Sequence, residues 1–251
     1  MAGVAEGSSA QREVEPHEVQ NEVLTAVMHG NWEKVLEICK TNPSISIKIN
    51  GVGETILHVA IHVGNQYGVI QLMDHMEKLD KGKMEKILQT GNHWGNTPLH
   101  QAAFMGMDKV CSFIARHYCT KKVVCCRNKM GETPLHVAVL HGWKRAFFAL
   151  QMVMEAKGWR AEDYWNTDGD TILHSAVARG HFDLALEIIE LYPNLLQYKN
   201  GKQESPLHIL ANKPSAFKSG TYLNILDRFI YHSIPQKNIQ LEYPAYKEKG
   251  G

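Results

Sequence analysis

A chain of 251 residues with 44% apolar and 21% charged side chains has the composition of an ordinary globular protein rather than a fibrous or disordered one. Its formal net charge of +1, from 27 Lys+Arg against 26 Asp+Glu, and the absence of a basic run argue against nucleic acid as a partner. No stretch approaches the roughly 18 apolar residues of a membrane span, and five cysteines without framework spacing predict reduced thiols in an intracellular compartment.

The opening residues Met1-Ala2-Gly3-Val4 have neither the basic start nor the long apolar core of a secretory signal, and Gly is not at position 2, where myristoylation would need it. Residues 1–18, rich in Gly, Ser, Ala and Glu, predict a disordered tail. From Asn21 a pattern begins that returns through the rest of the chain. Its clearest copy is Gly131-Glu132-Thr133-Pro134-Leu135-His136-Val137-Ala138, and Gly95–Ala102 repeats it. Gly53–Ala60 and Gly169–Ala176 carry Ile in place of Pro, and Glu204-Ser205-Pro206-Leu207-His208 is a worn copy.

The five histidines, His58, His100, His136, His174 and His208, stand 42, 36, 38 and 34 residues apart. Recurrence at that period predicts a stacked repeat array. Eight residues before each histidine is an asparagine (Asn50, Asn92, Asn128, Asn166, Asn200). Five before it is Gly53, Gly95, Gly131 or Gly169, with Gln203 in the last copy. Asn and Gly tolerate positive φ, so each unit starts on a tight turn. Thr or Ser then caps a helix, Pro takes its first position where present, and Gly64, Gly106, Gly142 or Gly180 closes it. An amphipathic second helix follows, as in Lys109–Ala115 and in Phe182–Tyr192, the latter stopped by Pro193.

These residues resemble the ankyrin-repeat family, whose signature is a turn, Gly-x-Thr-Pro-Leu-His-x-Ala and a later Gly at a period near 33. The resemblance implies an all-α ankyrin-repeat solenoid of about six helix-turn-helix units with short hairpin-like turns. The units fall near 19–49, 50–91, 92–127, 128–165, 166–199 and 200–234, with a polar C-terminal tail at 235–251. The first unit keeps only the Ala26-to-Gly30 spacing and is expected to cap the array. The second carries about nine extra residues over the family period, around Glu77–Lys83, which predict a longer second helix or a charged loop. In the sixth, Leu210 replaces the small Ala, and an insertion at 212–220 precedes a last helix over 222–231. That insertion, Leu-Ala-x-x-Pro-Ser-Ala-Phe-x-Ser-Gly in pattern, resembles plant ankyrin proteins that continue into a Pro-Gly-Gly segment and a four-span membrane domain. The resemblance implies stress or immune signalling, in the cytoplasm or at the cytosolic face of the plasma membrane, either as the soluble part of a longer protein attached through a C-terminal domain or as a member that has lost that domain.

The histidines invite a metal or proton-relay reading, but equivalent residues of neighbouring repeats lie about 10 Å apart, too far to share a zinc at ~2.0–2.1 Å. They are expected to tie each turn to the backbone of the next unit. Cys125-Cys126 lies at a repeat junction, where one thiol is expected to be exposed, and its redox activity stays open. Gly51-Val52-Gly53 lacks any phosphate-loop context, nucleophile and zinc-protease motifs are absent, and neither catalysis nor a cofactor is expected.

The resemblance leaves the turn tips and the two residues before each closing Gly free to line a concave groove: His62, Val63, Trp94, Phe104, Met105, Met130, Leu140, His141, Asp168 and Arg179. Aromatic, Met and Arg enrichment there points to a protein or peptide partner. The alternative is a cytosolic regulatory domain of a channel-like or transporter-like membrane protein, acting by intramolecular contact.

Overall fold

Each unit is started by its asparagine. In the computed structural model, which describes residues 16–41, 48–160 and 165–213, the Asn128 Oδ1 accepts the backbone N–H groups of Met130 and Glu132 at 2.9 and 3.0 Å. The Asn128 N–H also donates to the Glu132 carbonyl at 2.9 Å, closing a hairpin. Asn92, Asn166 and Asn200 repeat both arrangements. A side chain thus satisfies the amides that a tight turn leaves orphaned. Gly53, Gly95, Gly131 and Gly169 turn the chain with φ of 73–77°, while Gln203 adopts φ 64° in the last copy.

Thirteen α-helices follow among the described residues, in chain order: α1 (Pro16–Met28), α2 (Trp32–Thr41), α3 (Ile56–His62), α4 (Gln66–Leu79), α5 (Lys81–Gln89), α6 (Pro98–Phe104), α7 (Asp108–His117), α8 (Lys121–Val124), α9 (Pro134–Leu140), α10 (Lys144–Ala156), α11 (Ile172–Arg179), α12 (Phe182–Leu191) and α13 (Pro206–Ala211). The short helices start where the sequence places a Thr or Ser cap: Thr55, Thr97, Thr133, Thr171 and Ser205. They form an inner layer in which α3 packs on α6, α6 on α9, α9 on α11, and α11 on α13. The longer helices α2, α4, α7, α10 and α12 form the outer layer, each against its own inner helix or its neighbour. Leu57, Leu99, Leu135 and Leu173 are buried between units, and Ala60, Ala102, Ala138 and Ala176 let the inner helices approach closely. A buried Leu contributes about 2 kcal/mol by removal from water, and that gain exists only when the adjoining unit is in place.

Three details differ from the pattern read in the sequence. The extra residues of the second unit make neither one longer helix nor a loop. Asp80 breaks the chain and caps α5 through its carboxylate, which accepts the Lys83 N–H at 3.0 Å. Met84, Ile87 and Leu88 then bury the new helix. Helix α1 begins at Pro16, inside the segment 1–18 expected as a tail. After α12, Pro193 starts a 3-10 turn (Pro193–Gln197) that buries Leu195 and Leu196. The expected helix at 222–231, the tail at 235–251 and most of the insertion lie outside the described residues.

The glycine of the turn is required for two reasons at Gly131. Its φ is +73°, and a Cβ there would sit 2.7 Å from the backbone nitrogen of Thr167. Gly131→Ala should therefore cost about 1–3 kcal/mol, the left-handed penalty plus displacement of the next hairpin, less the gain from a stiffer unfolded chain. Gln203→Gly relieves the same penalty but loosens the unfolded chain by a similar amount, and should change stability by less than about 0.5 kcal/mol. Urea titration of both variants checks the pair.

Candidate functional site

The hairpins and inner helices present two rows of side chains. Along the first row, each hairpin tip is pinned to the next by one backbone bond. His93 N–H donates to Val52 O at 3.0 Å, Lys129 N–H to Trp94 O at 3.0 Å, Thr167 N–H to Met130 O at 2.9 Å, and Gly201 N–H to Asp168 O at 2.8 Å. The backbone is spent on its neighbours, and the side chains are left outward. Trp94 is 60% exposed and Met130 56% exposed, and Asp168 is also exposed.

The second row lies at the far end of the inner helices, about 10 Å away for seven residues at 1.5 Å each. His62, Val63, Phe104, Met105, His141 and Arg179 are exposed there, whereas Leu140 is half-buried and offers less surface than the sequence suggested. The Phe104 and His141 rings meet edge to face across two units, centroids 4.4 Å apart. Partial burial, with Arg179 nearby, holds His141 below its ordinary pKa, so it is neutral at pH 7. His62 Nε2 lies 3.3 Å from Glu54 Oε1. The tips and helix ends are therefore two parallel rows, joined within each row rather than gathered into one cluster.

The motif histidines lie behind these rows, not in them. Thr97 N–H donates to His100 Nδ1 at 3.1 Å, and His100 Nε2–H donates to the Glu132 carbonyl of the next unit at 3.0 Å. His58 and His174 make the same pair of bonds, reaching Asn96 O and Glu204 O at 2.8 and 3.0 Å. His136 reaches Asp170 O at a longer 3.4 Å. Because a carbonyl only accepts and a backbone N–H only donates, the geometry assigns the neutral Nε2–H tautomer. His208 keeps the inner bond from Ser205 N–H at 3.3 Å but is exposed.

A second tie between units went unread in the sequence. Trp143, just after a closing glycine, lies against Gly106 of the preceding unit and donates its Nε1–H to Phe104 O at 2.8 Å. His181, in the equivalent place, lies against Gly142, with Nε2 3.1 Å from Leu140 O. The signal was available: a ring-bearing N–H donor one residue after a closing Gly, in two successive units.

The thiols are not poised for chemistry. Cys125 is buried and Cys126 half-buried, correcting the expected exposed thiol at this junction. Burial pushes the Cys126 thiol up to about 11, and its S–H donates to Val123 O at 3.3 Å. Such a thiol is mostly protonated and a poor nucleophile at pH 7. Among the described residues no group of three or more His, Cys, Asp or Glu is arranged to hold a metal, and no helix is long and apolar enough to cross a membrane.

Residues 23–125 match the family model for ankyrin repeats (3 copies). The crystal structure of EF0377, an ankyrin repeat protein, superposes with a TM-score of 0.62, covering 84% of this chain and 96% of its own at 17% identity. This chain is an ankyrin-repeat stack. Solved chains matching it number 418, so the ankyrin fold by itself names no ligand. No curated protein matches the sequence. The ankyrin turns, caps and histidine bonds continue past the matched residues through His174, so the candidate rows lie on one uninterrupted series of units.

Burial pushes His100 and His136 down to about 4 from 6.5, and lowers His58 and His174 as well. The folded ankyrin array therefore binds fewer protons than the unfolded chain across that interval, and its stability falls with acid. The histidine contribution should be complete above about pH 6.5 and lost progressively toward about pH 4. Urea midpoints over that range check it. A His100→Gln, His136→Gln variant should be less stable at neutral pH but show a shallower acid slope.

Proposed function

We propose that the chain is a non-catalytic protein-interaction platform that holds a partner protein or peptide across its two exposed rows. Ankyrin repeats act as protein-protein interaction modules, and the observation that carries the reading here is the grouping of large exposed apolar side chains in the third and fourth units. Trp94, Met130, Phe104 and Met105 are all exposed, although the hairpin tips are already pinned to one another by backbone bonds. Aromatic and Met anchors of this kind give interfaces most of their affinity. Asp168, His62 and Arg179 supply a polar edge, while Val63, Leu140 and His141 extend the apolar row.

A rigid surface loses little conformational entropy on binding, because the tips are already locked to one another. The plant stress or immune setting, and attachment to a membrane through a further domain, are supported by the sequence resemblance at residues 210–220. A regulatory role within a longer membrane protein would use the same rows.

Trp94→Ala with Met130→Ala tests the platform. Both side chains are mostly outside the core, so the melting transition should move by no more than a few degrees. Affinity for a captured partner should fall by at least about tenfold, as loss of two anchors implies. Calorimetric titration reads the change. Unaltered affinity in a folded variant would exclude the tip row as the binding surface.

A further inference from the structure

The outer face of the array carries a surface that neither the histidine ties nor the concave rows use. A furrow of about 590 Å³ runs along α7 and α10 beside the edge of α4. Its apolar lining comes from Ile70, Phe113, Phe148 and Met152. Met152 is 58% exposed, although it has no part in the core. The rim is cationic, with Lys109, Arg116 and Arg145 from two helices and the single acid Asp108. Asp108 is already paired to Arg145 at 2.8 Å. Lys109 is held over the Tyr67 ring at 4.5 Å and donates to its hydroxyl at 2.9 Å, which positions the charge without neutralising it. Arg116 has no ion pair among the described residues. His117 stacks on Phe113 with ring centroids 4.2 Å apart and also lines the furrow.

We propose that this outer furrow binds an acidic amphipathic helix of a partner protein, independently of whatever occupies the concave side. The charge complementarity is local: the whole chain is nearly neutral at +1, yet on this rim Lys109 and Arg116 have no acidic partner among the described residues. The shape selects a discrete segment. A trough between two packed helices accepts the ridge of a third, with apolar side chains at i, i+3, i+4 and i+7 meeting the apolar lining and acidic ones meeting the rim. A bilayer is a poorer match, because two cations without an acidic partner among the described residues would contribute only about 1 kcal/mol each at an anionic surface.

Selection from a displayed random-peptide library, using the full chain as bait, tests this directly. The selected set should include sequences rich in Asp and Glu with helical apolar spacing. Their binding should weaken at least about tenfold in Arg116→Glu with Met152→Glu, weaken with added salt, and survive Trp94→Ala with Met130→Ala. Both outer substitutions fall at positions outside the core, and Arg116→Gln alone provides a milder variant should the double one melt early. The proposal is overturned if no selected peptide responds to the outer variants, or if those that respond are basic or neutral. It is also overturned if the outer variants alter binding only to vesicles of phosphatidylserine and phosphatidylcholine. Loss of every selected peptide in the Trp94 variant, with none lost in the outer variant, would leave the concave platform standing and this furrow without a role.

Discussion

The array depends on a neutral imidazole with both nitrogens engaged. In His100 the inner nitrogen receives the cap residue's N–H and the outer one gives its proton to the next unit's carbonyl. Each bond is worth about 1 kcal/mol net, but leaving either buried group unpaired costs about 1–3 kcal/mol. The bonds therefore select register more than they supply stability. Apolar burial of Leu57, Leu99, Leu135 and Leu173 drives stacking, and it would tolerate small slips between units. A directional bond of 2.8–3.0 Å from His58, His100 and His174 does not.

That register is transmitted outward. Because Glu132 O must meet His100, the hairpin of the fourth unit is fixed against the third, and Lys129 N–H lands on Trp94 O. Trp143 and His181 fix the opposite end of the inner helices against Phe104 O and Leu140 O. Both rows of exposed side chains are thus set by hydrogen bonds beneath them. Binding can use the preformed spacing without reorganising the core.

Much of this was legible because local chemistry repeats. Asn at the turn, Gly at positive φ, Thr or Ser at the cap and His three residues later each require their residue type by geometry, so the sequence pattern carried the short helices and their stacking. What escaped depends on single events. Asp80 turns the charged run Glu77–Lys83 into a helix break because its carboxylate satisfies Lys83 N–H, and nothing repeats to announce it. Trp143 and His181 share a position but not a residue type. Leu140 had the sequence credentials of an anchor, yet at the end of α9, where His181 of the fifth unit reaches its carbonyl, it is half-buried. The cationic rim is assembled from residues on α7 and α10 that are ordinary surface positions along the chain and become neighbours only when the outer helices pack. Charge composition near neutrality conceals such a patch.

The histidine tie can be observed without perturbing it. Nitrogen-15 chemical shifts and two-bond couplings of the imidazole rings, recorded at neutral pH on uniformly labelled protein, report charge and tautomer for each histidine. His58, His100, His136 and His174 should all appear as neutral Nε2–H rings with slowly exchanging protons. An Nδ1–H tautomer, or shifts averaged between protonated and neutral forms at His58, His100 or His174, would contradict the assignment of these rings as the ties that set the stack.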